Sequence, residues 1–312
     1  MKQFKLLVLL LILFAGCSGN NQKSDEPKKV AIVVSTLNNP WFVFLAETAA
    51  KKAKELGYES KIFDSQNNTA LESDHFENAL ASGYDAILFN PTDAAGSVSN
   101  VEKAKKAEIP VFCMDREINS RTAATSQILS DSYSACVELG KLFVDTLQKK
   151  GQYVELLGIV SDNNTWNRSK GFHSVVDNFP NLKMVAQQSA DFDRNKAMEV
   201  MESILQAHPQ IDGVFCGNDA MAMGAIQALV AAGKSHVKVF GFDGSEDAVI
   251  AVSEGKLAAT AMQYPKDIAE KAATFAHEYF GGKRDFPQKL PIAVDVVNKS
   301  NIDQFTAYGK KE

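Results

Sequence analysis

The stretch Ser-Thr-Leu-Asn-Asn-Pro-Trp-Phe (residues 35–42) follows the apolar run 30–34 and precedes a long helical pattern. A short run of Val and Ile predicts a strand buried in a parallel sheet. Pro40 suits the first turn of a helix, where its missing N–H costs nothing, and Asn39 before it is a natural N-cap. The stretch therefore predicts a strand's carboxyl end turning into a helix, which is where open α/β sheets bind ligands.

Two aromatic residues in this predicted turn allow two interpretations. Trp41 and Phe42 directly follow two amides and a proline. Aromatic faces match the C–H faces of a sugar ring, and amides match its hydroxyls. The alternative is that both side chains are the first core residues of the following helix. The residues at the other predicted strand ends are needed to distinguish a binding surface from a core.

The beginning of the chain has the layout of an export signal. Lys2 and Lys5 precede an apolar run over residues 6–14, and small residues follow it. The run is shorter than the about 20 residues that a permanent membrane helix needs. Ala-Gly-Cys at residues 15–17 resembles a bacterial lipoprotein cleavage box, although Phe14 stands where that box prefers Leu. The sequence thus predicts a lipoprotein signal peptide over residues 1–17 with lipidation at Cys17; the alternative is an ordinary signal peptide. Residues 18–28 are polar without periodicity and are predicted to form a flexible tether.

Composition indicates an ordinary globular protein. The chain has 312 residues, of which 45% are hydrophobic and 23% charged, with a formal net charge of −5. That charge argues against a nucleic-acid partner, which requires a clustered basic face. Cys113 and Cys216 lie in apolar runs and are expected to be buried free thiols. No cysteine or histidine has metal-site spacing, so we expect neither a metal nor a cofactor.

Strand and helix patterns alternate along the chain with short connections, which predicts parallel sheets covered by helices on both faces. The predicted strands cover residues 30–34, 61–63, 85–89, 110–114, 126–129, 153–160, 183–187, 211–216, 237–240, 257–262 and 292–297. The predicted helices include residues 42–56, 70–81, 94–107, 132–149, 167–178, 195–207, 220–232 and 266–279. Because twisted open sheets rarely exceed about ten strands, two similar lobes fit better than one sheet. A ligand would then lie in the cleft between the lobes.

The residues just past the predicted strand ends share one chemistry, because nearly all are amides, carboxylates, guanidinium groups or aromatics. Taken singly, each could be a turn residue, a helix cap or a surface charge. Together they predict a polyol site, since Asp accepts from hydroxyls, Arg donates through a planar fork, and Asn or Gln does both. The set comprises Asn39, Trp41, Phe42, Asn90, Asp115, Arg116, Phe192, Asn218, Asp243 and Gln263, with Arg168 near the start of its helix.

Six motifs carry a specific resemblance. They are the stretch 35–42, Asp-Ser-Gln-Asn-Asn (64–68), Asn-Pro-Thr-Asp (90–93), Ala-Asp-Phe-Asp-Arg (190–194), Asn-Asp-Ala-Met-Ala-Met-Gly-Ala (218–225) and Gly-Lys-Leu-Ala-Ala-Thr (255–260). At these motifs the chain closely resembles the ribose-binding proteins, a family of type I periplasmic binding proteins. The resemblance runs from about residue 29 to residue 298 and covers motifs in both predicted lobes.

The resemblance implies an α/β fold of two Rossmann-like lobes, each a parallel sheet flanked by helices. Three hinge crossings would lie near residues 130–131, 263–264 and 292–293. The N-terminal lobe would then comprise residues 29–130 and 264–292, and the C-terminal lobe residues 131–263 and 293–312.

The resemblance also implies that the polyol set binds the sugar. Asn39, Phe42, Asn90, Asp115, Arg116, Arg168, Phe192, Asn218, Asp243 and Gln263 keep the family's residue types. Trp41 stands where the ribose proteins have Phe, and residues 161–168 depart from the family's run of small and charged residues. Trp166 in that segment is a possible wall of the cleft. These departures leave the choice of sugar open among ribose, psicose, another pentose and a polyol.

The predicted function is an exported, membrane-anchored, monomeric lipoprotein that captures a monosaccharide, ribose first, and delivers it to the permease of an ABC importer. A sensory receptor that presents its closed form to a chemoreceptor or sensor kinase is the alternative. The export signal and the lack of a helix-turn-helix or basic segment before Val30 argue strongly against a third function, a sugar-responsive repressor. No enzyme is predicted, because the chain has no Gly-rich phosphate loop and its five histidines are scattered.

Overall fold

The computed structural model describes residues 27–311, so Cys17, the predicted signal peptide and most of the predicted tether lie outside the described residues. In chain order the strands are β1 (Lys29–Val34), β2 (Glu59–Asp64), β3 (Ala86–Phe89), β4 (Val111–Met114), β5 (Ser126–Ser130), β6 (Gly151–Leu157), β7 (Leu182–Ser189), β8 (Gly213–Cys216), β9 (Lys238–Asp243), β10 (Ala259–Met262), β11 (Lys289–Ile292), β12 (Asp295–Asn298), β13 (Phe305–Thr306) and β14 (Gly309–Lys310). The helices are α1 (Pro40–Glu55), α2 (Thr69–Ala81), α3 (Val98–Lys106), α4 (Ser132–Thr146), α5 (Asn163–Val176), α6 (Arg194–Ala207), α7 (Asp219–Ala231), α8 (Glu246–Ser253) and α9 (Pro265–Phe280), with one 3-10 turn at Ile302–Gln304. None of these helices combines the length and apolarity needed to cross a bilayer.

Two six-stranded sheets organise the structure. The first has the order β11-β5-β4-β3-β1-β2, and all its neighbouring strands are parallel. The second has the order β12-β10-β9-β8-β6-β7 and is parallel except for the β10–β12 pair. We call the first sheet with α1, α2, α3 and α9 the N-terminal lobe, and the second with α4 to α8 the C-terminal lobe. The predicted α/β architecture of two Rossmann-like lobes is confirmed.

The chain passes between the two sheets three times. It crosses from β5 to α4, from β10 to α9 and from β11 to β12. The third crossing corrects one sequence expectation, because the single strand predicted over residues 292–297 is two strands in different sheets. Apolar residues on both sides of the crossing concealed the change of lobe.

Alternation along β1 explains how helices cover both faces of the first sheet. Successive side chains of a strand point to opposite faces. Val30, Ile32 and Val34 pack in the cluster that contains buried residues of α1 and α9. Ala31 and Val33 pack on the other face, in the cluster that contains residues of α2 and α3. All five are almost completely buried, so β1 lies inside the lobe and its carboxyl end is held rigidly.

An aromatic cluster fills one side of the C-terminal lobe. The rings of Phe172 in α5 and Phe215 in β8 are stacked, with their centroids 4.1 Å apart. Phe143 of α4 contacts Phe172 edge-on at 5.0 Å. Gly171 permits this close approach of α4 and α5, because a Cβ there would lie 2.4 Å from the Tyr133 carbonyl oxygen. Aromatic pairs of this kind add roughly 0.5–1.5 kcal/mol each beyond their buried area.

Several element boundaries differ from the sequence expectations. Helix α5 begins at Asn163 instead of residue 167, because Asp162 caps it by accepting from the Asn164 N–H at 2.9 Å. Helix α8 (Glu246–Ser253) was not predicted, and β9 continues to Asp243 where a turn was expected. Cys113 and Cys216 are buried free thiols, as predicted, and burial raises the pKa of each thiol.

Candidate functional site

A small cavity lies between the lobes at the carboxyl ends of their strands. The space not occupied by protein atoms, including its mouth, is about 290 Å³. The lining residues are Asn39, Trp41, Phe42, Asp115, Arg116, Asp162, Asn164, Arg168, Phe192, Asn218, Asp243 and Gln263. Every predicted sugar contact except Asn90 is therefore brought to one cavity.

The first turn of α1 forms one wall of the cavity. Pro40 occupies the start of the helix, and the Asn39 side chain caps it by accepting from the Trp41 N–H at 2.9 Å, as the sequence indicated. Trp41 is only 2% exposed and packs in the core of the N-terminal lobe. Its ring meets Phe42 edge-on at 5.3 Å, and Phe42 lies beneath the Arg116 guanidinium at 4.9 Å. The two interpretations of the aromatics thus both apply, because these rings border the cavity and belong to the core.

Two charged residues follow β4 into the cavity. Asp115 and Arg116 are both 3% exposed. Burial raises the pKa of Asp115 to about 7, and the Arg168 guanidinium opposes this rise in pKa. The Oδ1 atom of Asp115 is buried without a hydrogen-bond partner among the described residues. A buried carboxylate oxygen without a donor costs free energy, so this atom has unused capacity to accept from a ligand hydroxyl.

Arg168 and Asp243 form the charged part of the opposite wall. The Arg168 guanidinium lies over the Phe242 ring at 3.8 Å and donates to the Gly217 carbonyl at 2.7 Å. Its Nη1 atom is 3.6 Å from Asp243 Oδ1, while its Nε is buried without a partner among the described residues. Burial raises the pKa of Asp243 well above its ordinary value, and the Arg168 charge lowers that pKa in part. Each lobe thus presents at least one carboxylate and one guanidinium to the cavity.

Gln263 links the cavity to two of the crossings between the lobes. Its Nε2 donates to Asp243 Oδ1 at 2.7 Å, and its Oε1 accepts from the Ser130 hydroxyl at 2.5 Å. Ser130 ends β5 at the first crossing, and Gln263 itself stands at the second. The side chain that holds Asp243 is therefore fixed to the segments about which the lobes would rotate.

Three lining residues adopt a backbone conformation that side chains other than glycine seldom take. The φ angles of Asp115, Phe192 and Asp243 are 64°, 59° and 129°. Such conformations cost on the order of 1–3 kcal/mol each and concentrate at functional sites, where surrounding structure imposes them. At Asp243 the surrounding structure is Asp219, whose Oδ2 accepts from the Gly244 and Ser245 N–H groups at 2.8 and 2.9 Å.

Phe192 and Asn218 complete the wall of the C-terminal lobe. Phe192 packs over Gly158, where a Cβ would come within 2.0 Å of the ring. Its ring also lies 5.9 Å from the Arg116 guanidinium of the other lobe. Asn218 caps α7 through its Oδ1, which accepts from the Met221 N–H at 2.9 Å, and still reaches the cavity. Capping and lining the site are combined in one residue.

Two predicted residues lie outside the cavity lining. Asn90 is fully buried beneath it, where its Oδ1 accepts from the Ser35 hydroxyl at 2.7 Å and its Nδ2 donates to the Met114 carbonyl at 2.9 Å. It joins the ends of β1, β3 and β4 and supports Asp115 from below. Trp166, the possible cleft wall, is not among the lining residues; it is 39% exposed and donates from its Nε1 to the Val160 carbonyl at 2.8 Å.

Asp162 and Asn164 line the cavity but were missing from the predicted set. Asp162 Oδ2 lies 2.6 Å from Arg116 Nε, and both side chains are nearly inaccessible. Asn164 donates from its Nδ2 to the Asp115 carbonyl at 3.3 Å. The available signal was the N-cap preference of Asp before a helix, which would have extended α5 to include these residues.

The site has the side chains that are needed to hold a polyol. Carboxylates, guanidinium groups and amides converge on it from both lobes, whereas the described residues contain no group of three His, Cys, Asp or Glu side chains arranged to bind a metal. Asp115 Oδ1 and Arg168 Nε lie in this enclosed space without protein partners. Vicinal hydroxyls both donate and accept, so a sugar could satisfy both atoms at once.

Comparison with known proteins relates the whole fold to sugar import. A family profile described as "Periplasmic binding protein domain" matches residues 30–284. The D-apiose import binding protein of Paraburkholderia graminis is 42% identical over 280 residues, which are 89% of this chain and 90% of that protein. The ribose import binding protein of Escherichia coli is 39% identical over 303 residues, covering 96% of this chain and 99% of that protein.

A solved structure agrees with these relatives. The solute-binding protein of an ABC transporter from Bacillus halodurans, with bound myo-inositol, superposes with a TM-score of 0.87 at 26% identity. The match covers 92% of this chain and 99% of that one. Proteins of this kind bind substrates for transport and do not convert them. The chain therefore belongs to the periplasmic binding protein family and is a sugar-binding component of an ABC importer.

Proposed function

We propose that the cleft encloses one monosaccharide of pentose size, with D-ribose as the first ligand to test. The observation that carries this proposal is that two buried polar atoms of the cavity wall, Asp115 Oδ1 and Arg168 Nε, have no hydrogen-bond partner among the described residues. Each buried polar group without a partner costs about 1–3 kcal/mol. A sugar whose hydroxyls satisfy both groups would remove that penalty in the closed form alone, and would thereby stabilise closure.

D-apiose is the second candidate. One relative at 42% identity is described as a D-apiose import binding protein. In addition, Asp162 and Asn164 bring a carboxylate and an amide to the cavity in the segment that departs from the ribose pattern. Two extra polar groups change which hydroxyl arrangement fits best, because a site built to hydrogen-bond a hydroxyl discriminates strongly against a sugar that lacks it there.

A thermal-shift panel tests the sugar. The chain without residues 1–17, which retains every described residue, is melted with ribose, apiose, allose, psicose, arabinose and myo-inositol. A ligand at 100 times its dissociation constant stabilises the folded state by about 2.7 kcal/mol, which raises Tm measurably. We expect a shift with ribose that Asp243→Asn abolishes and that Asp285→Asn, at an exposed position of the N-terminal lobe, preserves.

The panel has two contrary outcomes. A shift with apiose and none with ribose would replace the proposed sugar while keeping the proposed site. No shift with any sugar, in a protein whose circular dichroism shows a cooperative fold, would contradict the monosaccharide proposal.

The proposal includes a lipid anchor at Cys17 and delivery to a membrane permease. The signal layout of residues 1–17 supports the anchor, and the family supports the permease. We expect the full chain to fractionate with membranes and to incorporate labelled fatty acid, and Cys17→Ala to lose both properties.

Uptake of labelled sugar by cells with and without the chain separates the importer from the alternative, a sensory receptor. Unchanged uptake with loss of a sugar response would favour the receptor, and size-exclusion chromatography with light scattering tests the proposed monomer.

A further inference from the structure

The start of α5 joins the two lobes directly. We propose that Asp162, with its neighbours Asn163 and Asn164, forms a clamp that holds the lobes closed and orients Arg116 for sugar capture. We call these three residues the α5 clamp. The inference deepens the proposed function and rests on it for its binding measurements, but its first readout needs no sugar.

Asp162 carries the strongest contact of the clamp. One carboxylate oxygen accepts from the Asn164 N–H at 2.9 Å and caps α5, while the other lies 2.6 Å from Arg116 Nε. The side chains of Asp162 and Arg116 are 3% and 4% exposed, so water screens their attraction little. The guanidinium is further placed by the Phe42 ring, 4.9 Å away. Asp162 therefore fixes which guanidinium N–H groups remain for a ligand.

The other clamp residues contact the same loop of the N-terminal lobe. Asn163 donates from its Nδ2 to Glu117 Oε1 at 2.9 Å and to Asn119 Oδ1 at 2.8 Å. Asn164 donates to the Asp115 carbonyl at 3.3 Å. Three consecutive side chains of one lobe thus contact four residues of the other, through one ion pair with Arg116 and through hydrogen bonds to Asp115, Glu117 and Asn119.

A backbone hydrogen bond lies beside the clamp. The Ala94 N–H of the N-terminal lobe donates to the Ser161 carbonyl of the C-terminal lobe at 3.2 Å. Within residues 27–311, the remaining hydrogen bonds between the lobes lie at the crossings, such as Ser130 to Gln263. The lobes also meet through the apolar contact of Phe44 with Tyr308, whose rings are 5.5 Å apart. Polar closure is thus concentrated at α5.

The clamp changes sugar affinity through closure. Apparent affinity falls with the fraction of protein in the binding-competent state, so contacts that favour the closed form strengthen binding without touching the ligand. Asn163 isolates this effect, because it belongs to the clamp but does not line the cavity. Asp162 combines the closing contact with a place in the cavity wall, and it acts on the ligand through Arg116 as a positioning residue.

The first experiment measures closure in the sugar-free protein. Asp162→Asn removes the negative charge but keeps a good N-cap, so α5 is expected to remain folded. Amide hydrogen exchange of Ala94 reports the contact between the lobes. The Ile109 N–H, which donates to the Ala104 carbonyl at 2.9 Å within the N-terminal lobe and away from the clamp, is the internal reference. We expect Ala94 exchange to accelerate about tenfold or more in Asp162→Asn and Ile109 exchange to stay within twofold.

The second experiment measures the dissociation constant by calorimetry for the sugar found in the thermal-shift panel. We expect Kd to rise about 10- to 100-fold for Asp162→Asn and about three- to tenfold for Asn163→Ala. The matched control is Asp193→Asn, since Asp193 caps α6 in the same lobe and accepts from the Lys196 N–H at 2.8 Å without reaching the other lobe. Its Kd should stay within twofold of wild type.

The outcomes separate this inference from the proposed function. Suppose that Asp162→Asn raises Kd while Ala94 exchange is unchanged and Asn163→Ala has the Kd of wild type. Asp162 would then act as a ligand contact, and the clamp proposal would be overturned. Unchanged values for both variants would overturn it as well. A wild type that binds no sugar would contradict the proposed function, while the exchange measurement would still decide the clamp.

Discussion

Replacing Gly158 by Ala tests whether Phe192 is held in place by the glycine beneath it. The substitution is acceptable to the backbone, since Gly158 does not have a positive φ. The added Cβ would lie 2.0 Å from Cζ, 2.1 Å from Cε1 and 2.5 Å from Cε2 of the Phe192 ring. Ordinary van der Waals contact begins at 3.4 Å, so the ring must withdraw by more than about 1 Å.

The direction of that withdrawal sets the expected effect. Away from Gly158 the Phe192 ring meets Arg116 and Arg168, whose guanidinium carbons are 5.9 and 5.5 Å from its centroid. The ring would therefore enter the space that a sugar needs. Overpacking of this kind costs about 1–3 kcal/mol, which lowers Tm by several degrees. Because the Phe192 ring would be displaced and would occupy cavity space, the dissociation constant of the sugar should rise at least tenfold, which corresponds to about 1.4 kcal/mol.

Thermal unfolding and calorimetric titration measure the two effects, and a double-mutant cycle identifies their cause. In a Phe192→Ala background the clash is absent, so Gly158→Ala should then change Tm by less than about 1 °C. Gly217→Ala is the matched control at a neighbouring strand end, where the nearest atom to a new Cβ is the flexible Met221 Cε at 3.2 Å. A Gly158→Ala variant that binds sugar as tightly as wild type would refute the reasoning, as would additive effects in the cycle.

Two further predictions concern buried charges. Asp219 accepts three hydrogen bonds and holds the loop after β9, so Asp219→Asn should lower the free energy of unfolding by about 3 kcal/mol or more and weaken sugar binding. Chemical denaturation measures the stability and calorimetric titration the binding. A change in the free energy of unfolding below about 0.5 kcal/mol would contradict the prediction. The hydrogen bond to Glu155 raises the pKa of His173 to about 9, because it favours the protonated imidazole of the folded protein. Protonated His173 should therefore stabilise the fold by about 3 kcal/mol below about pH 6.5, and this stabilisation should be lost as the pH rises through about 9. Denaturant titrations from pH 6 to 10 should show this loss in wild type and in exposed His236→Gln, and its absence in His173→Gln; parallel curves for all three would exclude the assignment.

Local signals in the sequence were sufficient for the main elements and for most of the site. The apolar run over residues 30–34 is strand β1, and the cap at Asn39 with Pro40 begins α1 as predicted. These signals are reliable because a cap, a fixed proline φ and an alternating apolar face act within a few residues. In parallel sheets the carboxyl ends share one edge, so residues following separate strands could be grouped before any contact was known.

Local signals failed where one residue serves two purposes. Asn90 is of a residue type that often contacts ligands, but its side chain joins three strand ends through hydrogen bonds to Ser35 and to the Met114 carbonyl. Trp41 borders the cavity and also fills the core of its lobe. Helix α8 escaped notice because residues 246–253 are short and follow a turn-like Gly-Ser pair.

The sequence alone determined the fold class, the family resemblance and the sugar-like chemistry of the strand ends, because each depends on short-range patterns. Only the tertiary structure decided that Asp162 meets Arg116, that Asn164 reaches Asp115, and that Phe192 lies on Gly158. These contacts join residues from about 30 to 50 positions apart, which come together when the chain crosses between lobes or returns along a neighbouring strand. Their strength comes from burial, which removes the water that would otherwise screen and satisfy the same groups.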